Sequence, residues 1–219
     1  MDSPASETFP PQIELVLAHT PQALRLRFAA YFALDQRLAR IVSNTTEPML
    51  GQMRLAWWRD MLRTDLNSRP SGDAVLDAIG EHWQGDDEIL VELVDGWEIL
   101  VAEESISRKE ISDFANKRAG PLAGLLADLE EQVAARVMSA GMRWVMADTA
   151  CKVSDEAERQ QLIDIGLGLK SNAASLPGAL RGLAILEALS LRALKRGGRP
   201  LMEGRGAALI TMRASIFGR

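Results

Sequence analysis

Residues 46–62 constrain the fold more than any other part of the chain, because they combine helix-start signals with helical periodicity. Thr46 can cap the free N–H groups of a first turn, and Pro48 lacks an N–H that would be unused there. The apolar side chains recur at helical spacing: Met49, Leu50, Met53, Ala56, Trp57, Met61 and Leu62. We predict an amphipathic helix with Trp57 in the core. The adjacent Trp58 points about 100° away and should lie at the core margin.

The rest of the chain also shows helical periodicity, with start and stop signals between the segments. Asp73 and Ser154 are predicted caps, Ser107 and Glu110 fit a capping box, and Pro121 is expected to kink or break its helix. No strand alternation or internal repeat is found. The sequence predicts one all-α domain over residues 1–219, with residues 1–11 flexible. The sequence predicts a bundle of about nine or ten helices, namely 13–18, 21–43, 47–66, 73–83, 87–103, 111–118 with its continuation over 122–131, 133–153, 155–169, 177–196 and 204–217.

Composition excludes several classes of protein. Hydrophobic residues make up 47% of the 219 residues and charged residues 25%, which is typical of a globular chain with a sizeable core. Cys151 is the one cysteine, so an internal disulfide framework is excluded and a reducing compartment is favoured. With two histidines far apart, no usual zinc constellation exists. No apolar run is long enough to predict a transmembrane helix.

Charge is distributed unevenly along the chain. From Lys170 onward, nine basic residues face two acidic ones, a net charge of +7, so the preceding 169 residues carry −12. A basic end on an acidic body indicates either an anionic partner, such as a lipid surface, or internal pairing. The basic residues lack interleaved aromatics, so we expect no nucleic-acid partner. In the last helix, Leu209, Met212 and Ile216 share a face that can cover the core or lie on an anionic membrane.

The sequences of two successive predicted helices resemble those of a known protein family. The run EPMLGQMRLAWWRDML, preceded by RFAAYFALDQRLARIVSN, resembles the squalene/phytoene synthase family. The resemblance points to a bacterial branch that is related to the mitochondrial respiratory complex I assembly factor of the family. It is sharp over residues 28–63, fair to about 127 and thin beyond. Weaker similarity to the family occurs at residues 92–96 and 114–124.

The resemblance implies the isoprenoid synthase fold, an all-α bundle around a central cavity. Enzymes of the family join prenyl diphosphates and hold them through Mg²⁺ on two Asp-x-x-x-Asp motifs. Spacing of i, i+4 places both carboxylates on one helical face, and Mg²⁺ bridges carboxylate and phosphate oxygens. At the first motif position only Asp35 is acidic, with Arg37 and Arg40 beside it, so we expect an internal salt bridge. Near the second, Asp148 has Lys152 four residues on, which predicts an ion pair.

Other acidic residues offer no better metal site. Asp73 and Asp77 form a literal Asp-x-x-x-Asp, but not at a family position, and Asp73 is the expected helix cap. A further acidic cluster is expected to form a solvated helix face; its members are Asp86, Asp87, Glu88, Glu92 and Asp95. The carboxylates that remain candidates for catalysis are Asp35, Asp95 and Asp148.

These features favour a family member that has lost prenyl transfer and acts as a binding or assembly protein without a cofactor. The expected partners are an isoprenoid or other apolar ligand, a membrane protein complex, or an anionic membrane surface. Two alternatives stay open: a Mg²⁺-dependent prenyltransferase that uses rearranged carboxylates, and a membrane-surface scaffold. We expect a cytoplasmic protein, with peripheral association with the inner membrane as a further option. The residues expected to bind the ligand are Tyr31, Arg37, Arg40, Arg54 and Trp58.

Overall fold

The computed structural model describes residues 8–102, 106–125, 130–170, 175–204 and 206–217. This part of the chain forms ten α-helices and contains no strand, which confirms the predicted all-α bundle. The helices are α1 (Pro11–Ala18), α2 (Gln22–Ser43), α3 (Pro48–Arg63), α4 (Ala74–His82), α5 (Val91–Ala102), α6 (Arg108–Gly124), α7 (Glu131–Ala150), α8 (Glu156–Gly168), α9 (Arg181–Lys195) and α10 (Gly206–Phe217). Short 3-10 turns occur at Leu66–Ser68, Asp87–Leu90 and Gly178–Leu180.

Contacts divide the chain into two compact units. The first is built on Gln22–Pro121, and the second on Pro10–Pro21 together with Leu122–Arg219. The prediction of a single domain, and of the isoprenoid synthase type of bundle around a central cavity, stays a prediction. Of the start expected to be flexible, residues 1–7 lie outside the described residues, whereas α1 already begins at Pro11.

The first unit is organised around α2 and α5. Helix α5 packs against both α2 and α3, and α4 packs against α2. Large aromatic side chains fill the space between these helices, and burying them is the main source of stability in such a unit. The fully buried aromatic residues on α2 are Phe28, Tyr31 and Phe32.

The second unit is organised around α7 and α9. These two helices pack along each other, α8 contacts both of them, and α1 and α10 each pack against α9. Apolar residues of α9 recur on its buried face, including Leu183, Leu186 and Leu194. A buried polar cluster joins α7 to α9, where Arg136 and Arg143 both contact the carboxylate of Glu187. Such a charge needs its partners, because an unpaired buried carboxylate is strongly unfavourable.

Local signals set most helix starts as predicted. Asp73 caps α4 by accepting hydrogen bonds from the N–H groups of Val75 and Leu76 at 2.9 and 3.2 Å. The capping box at α6 forms, with the Ser107 N–H donating to Glu110 at 2.7 Å. Two predicted caps are wrong. Glu47, without a side-chain cap bond, precedes α3 in place of Thr46, and Asp155 caps α8 in place of Ser154.

Helix α6 runs through Pro121, so the predicted break there is wrong. Proline removes one backbone hydrogen bond from a helix interior, which other interactions can offset. The residues on either side of the Gly-Pro pair, Ala119 and Leu122, are both fully buried, and this packing accompanies the continuous helix. The predicted continuation over 122–131 includes residues 126–129, which lie outside the described residues.

None of the helices in the described part of the chain combines the length and the apolar character needed to cross a lipid bilayer.

Candidate functional site

A cleft in the first unit lies beside α2 and α3 and has a volume of about 480 Å³. This volume is in the range of about 300–1,000 Å³ that small-molecule sites occupy. Helix α2 contributes one wall, α3 the other, and the residue that caps α4 closes one side. The lining residues are Arg37, Arg40, Ile41, Asn44, Arg54, Trp57, Trp58 and Asp73. The cleft therefore combines three guanidinium groups with two indole rings and one carboxylate.

On the α2 wall, Arg37 is held in place by Asp73. The Arg37 Nη1 donates to Asp73 Oδ2 at 2.8 Å, and the Arg37 guanidinium lies 5.8 Å from the centre of the Trp58 ring. Partial burial alone would raise the pKa of Asp73, but hydrogen bonds from Arg37 and from the α4 backbone outweigh it, so the pKa lies below its usual value. Asp73 is consequently ionised at neutral pH and offsets one of the three guanidinium charges.

On the α3 wall, Arg54, Trp57 and Trp58 are spaced so that their side chains lie on adjoining faces of one helix. The two indole rings meet edge to face, with their centres 5.1 Å apart. Arg54 donates to the Thr45 hydroxyl at 3.3 Å and has no carboxylate partner among the described residues. Its charge is therefore available to an anion in the cleft.

The buried face of α3 is not the predicted one. Trp58 is 3% exposed whereas Trp57 is 42% exposed, the reverse of the expected order. The buried positions are Gly51, Leu55, Trp58 and Leu62. Gly51 favours close packing on this face, because a Cβ there would lie 3.1 Å from Val101 of α5. The other apolar side chains form an exposed row, which we call the α3 stripe: Met49, Leu50, Met53 and Trp57.

Four of the five residues expected to bind a ligand line the cleft: Arg37, Arg40, Arg54 and Trp58. The fifth, Tyr31, is not among the lining residues. It is fully buried, and its hydroxyl donates to the backbone oxygen of Arg118 at 2.6 Å. Its role is thus to join α2 to α6 in the core.

Asp35 forms a salt bridge, as expected, but the partner of Asp35 is distant in sequence. Arg118 of α6 donates from Nε and Nη2 to the two carboxylate oxygens at 2.7 Å each, and the Trp97 indole N–H donates at 2.9 Å. All of these groups are buried. Both oxygens of the carboxylate are therefore already taken by donors, and charge-assisted pairs of this geometry are strong.

The other two candidate carboxylates are also paired. Asp95 accepts from Arg59 Nε at 2.8 Å and lies 3.8 Å from Lys117 Nζ. Burial alone would lower the pKa of Arg59, but its bonds to Asp95 and Glu98 outweigh burial, so the pKa is raised. The predicted ion pair of Asp148 with Lys152 is confirmed at 2.9 Å.

This carboxylate arrangement does not fit Mg²⁺. Magnesium requires free carboxylate oxygens at near-octahedral geometry. The three candidates are engaged with arginine or lysine, and the described residues contain no group of three or more acidic, histidine or cysteine side chains that could hold a metal. We derive no reaction step through a metal at these positions.

Three of the five members of the acidic cluster predicted as a solvated face are instead paired, whereas Glu88 and Glu92 are exposed as predicted. Asp86 contacts Arg27 at 2.6 Å, Asp87 contacts Arg69, and Asp95 contacts Arg59. The prediction was wrong for these three residues because each partner lies on a different helix or turn, between 18 and 59 residues away, where helical periodicity gives no information.

Two features of the site were not predicted from the sequence. Trp57 was placed in the core, but it forms part of the cleft wall. Asp73 was identified only as a helix cap, although it also fixes Arg37. The signal for Trp57 was available in Gly51, since a glycine in a helix interior often marks a close helix contact.

Comparisons of the chain with protein-family models, with curated proteins and with solved structures gave no match.

Proposed function

We propose that this chain is a non-catalytic member of the squalene/phytoene synthase family that binds an anionic ligand with an apolar portion. The observation that carries the proposal is the cleft itself, in which the guanidinium groups of Arg37, Arg40 and Arg54 lie beside the rings of Trp57 and Trp58. Guanidinium groups are well suited to phosphate and carboxylate oxygens, while indole faces accept apolar chains. An isoprenoid diphosphate combines these two properties.

The pairing of the candidate catalytic carboxylates supports a binding role over prenyl transfer. Prenyl transfer in the family requires metal-held diphosphate, since Mg²⁺ neutralises the leaving group. Asp35 would have to break two hydrogen bonds with Arg118 before it could coordinate a metal. In this proposal, arginines alone balance the charge of the ligand, and no leaving group is activated.

Farnesyl diphosphate is expected to bind in the cleft and to quench tryptophan fluorescence, in EDTA as well as in Mg²⁺. Arg54→Gln should weaken this binding about tenfold, because a charged hydrogen bond to the ligand is lost. Fluorescence titration measures both affinities. Arg63→Gln is the matched control, since Arg63 is exposed on the same helix and does not line the cleft.

Three outcomes of this experiment would contradict the proposal. The first is the absence of quenching by farnesyl diphosphate. The second is equal weakening by Arg54→Gln and Arg63→Gln, which would indicate general charge attraction. The third, tested in a separate incubation with Mg²⁺, is formation of squalene from farnesyl diphosphate and NADPH, or of phytoene from geranylgeranyl diphosphate, above a control without protein, which would favour the prenyltransferase alternative. Farnesol and pyrophosphate, titrated separately, measure what the apolar and anionic portions contribute.

A second candidate role, assembly of a membrane protein complex, is favoured by the α3 stripe. Four large apolar side chains of one helix are exposed there, and contiguous apolar surface of this kind often marks a protein interface. By the resemblance to the mitochondrial assembly factor, the partner would be a subunit of respiratory complex I. Peripheral association with the inner membrane would follow from that partner.

Met53→Glu should reduce co-purification of complex I subunits about tenfold, because a charge at the centre of the α3 stripe would be desolvated in the interface. Leu26→Glu is the control, since Leu26 is a comparably exposed apolar residue on α2, outside the stripe. Quantitative mass spectrometry of the purified complexes measures the ratio. Equal recovery with both variants would rule out the stripe as this interface.

A further inference from the structure

A second groove, in the other unit, has the chemistry of a site for an anionic amphiphile. It lies beside α9 and α10 and has a volume of about 370 Å³, within the usual range for ligand sites. Its lining residues are Ala188, Leu191, Arg192, Lys195, Arg196, Ile210 and Arg213. Four of the seven carry positive charge, the other three are apolar, and none is acidic.

The basic residues of the groove fall into two groups. Arg192 and Arg196 are anchored by the backbone oxygen of Glu203, to which they donate at 2.8 and 3.1 Å. Lys195 and Arg213 have no carboxylate partner within the described part of the chain. Internal pairing therefore does not account for all of the positive charge that the sequence places in this third of the protein.

Arg192 is partly buried where α9 meets the start of α10. Its Nη1 group is buried and has no hydrogen-bond partner among the described residues. Gly206, at the start of α10, allows this arrangement, because a Cβ there would lie 3.1 Å from the guanidinium. Arg192 is therefore fixed by the surrounding structure while it lines the groove.

The apolar part of the site continues onto the exposed surface of α10. The residues of α10 that pack inward are Ala207 and Ala214, while Leu209 and Met212 are 66% and 58% exposed. Of the two options that the sequence left open for Leu209 and Met212, their exposure disagrees with covering the core. Small residues on the inner face bring α10 close to α9 and leave its large apolar side chains outward, next to Ile210 of the groove.

We propose that this groove binds a single-chain anionic amphiphile. Its carboxylate or phosphate is held by Arg192, Lys195 and Arg213, and the first part of its chain lies against Leu191 and Ile210. The proposed ligand is a single dissolved molecule, not a micelle or a membrane. The proposal does not depend on ligand binding in the cleft beside α2 and α3.

Isothermal titration with dodecyl phosphate, kept below its micelle concentration, tests the proposal on the full chain. In the Arg54→Gln variant, in which the cleft beside α2 and α3 is weakened, dodecyl phosphate should still bind with unchanged affinity at the groove, and both dodecanol and inorganic phosphate should bind there at least about tenfold more weakly, because each lacks one part of the recognised structure. The double variant Lys195→Gln/Arg213→Gln should weaken binding by about tenfold or more. Arg199→Gln, which removes an exposed charge outside the groove, should change affinity by less than about twofold.

Several results would overturn the proposal. Equal affinity for dodecanol would leave only an apolar surface, and equal affinity for phosphate only an anion site. Equal weakening by Arg199→Gln would indicate the general field of the basic third. Binding to phosphatidylserine vesicles without binding to dodecyl phosphate would identify α10 as a membrane-surface helix instead. If the double variant fails to fold, as judged by circular dichroism, Ile210→Ser takes its place and should weaken dodecyl phosphate but not phosphate.

Discussion

Trp58→Ala should lower the free energy of unfolding by about 3–5 kcal/mol, the range for deleting a large buried aromatic side chain. Trp57→Ala should lower it by less, about 1 kcal/mol, because Trp57 is 42% exposed and part of its covered surface is the edge-to-face contact with Trp58. Urea denaturation followed by far-UV circular dichroism measures both values without relying on the fluorophores that the variants remove.

The pair of variants tests the face of α3 directly. Both substitutions remove the same side chain from adjacent positions of one helix, so differences in helix propensity cancel between them. Trp58→Ala also removes the ring beside the Arg37 guanidinium. It should therefore weaken ligand binding both by removing part of the cleft wall and by releasing Arg37. Equal losses of stability at the two positions would mean that the orientation of α3 described here is wrong.

Local chemistry made most of the helices predictable. Cap residues such as Asp73, the capping box of Ser107 and Glu110, and Pro48 in the first turn of α3 act over three or four residues. These interactions are visible in any short stretch of sequence. The helix boundaries set by them therefore agree with the structure, whereas those that depend on packing, as at Pro121, do not.

The orientation of α3 could not be predicted from apolar spacing alone, since that helix has two apolar faces. Met49, Met53 and Trp57 form one, while Leu55, Trp58 and Leu62 form the other. Only the packing of α3 against α5 decides between the two faces. The absence of a Cβ at Gly51 is the one local sign of that packing in the sequence. Arg37, Arg40, Arg54 and Trp58 nevertheless line one cleft, and their role in binding a ligand stays a prediction.

Long-range pairing was the least predictable part of the site. Asp35 was expected to pair with a basic residue, but its neighbours Arg37 and Arg40 were the obvious candidates in sequence. Arg118, its partner, lies 83 residues away on α6. Because helical periodicity constrains only which face a residue occupies, it cannot identify a partner on another helix.

Mutation of one partner in the buried Asp35–Arg118 pair should change the free energy of unfolding strongly. Asp35 and Arg118 side chains are 5% and 2% exposed, and the guanidinium also lies 4.8 Å from the centre of the Trp97 ring. Forming such a pair offsets the loss of hydration of both charges, so its net contribution can be small. Removing one partner is different, because the remaining charge is then buried alone.

Arg118→Met should therefore lower the free energy of unfolding by about 3–5 kcal/mol, and Asp35→Leu by a comparable amount. The double variant Asp35→Leu/Arg118→Met should recover much of this loss, since no unpaired charge remains in the core. Chemical denaturation of all four proteins gives the coupling directly. Lys109→Met, which breaks the exposed pair with Asp113, is the control and should change stability by less than about 1 kcal/mol. Purely additive losses in the double variant would show that Asp35 and Arg118 do not depend on each other, and would return Asp35 to the list of carboxylates able to act in chemistry.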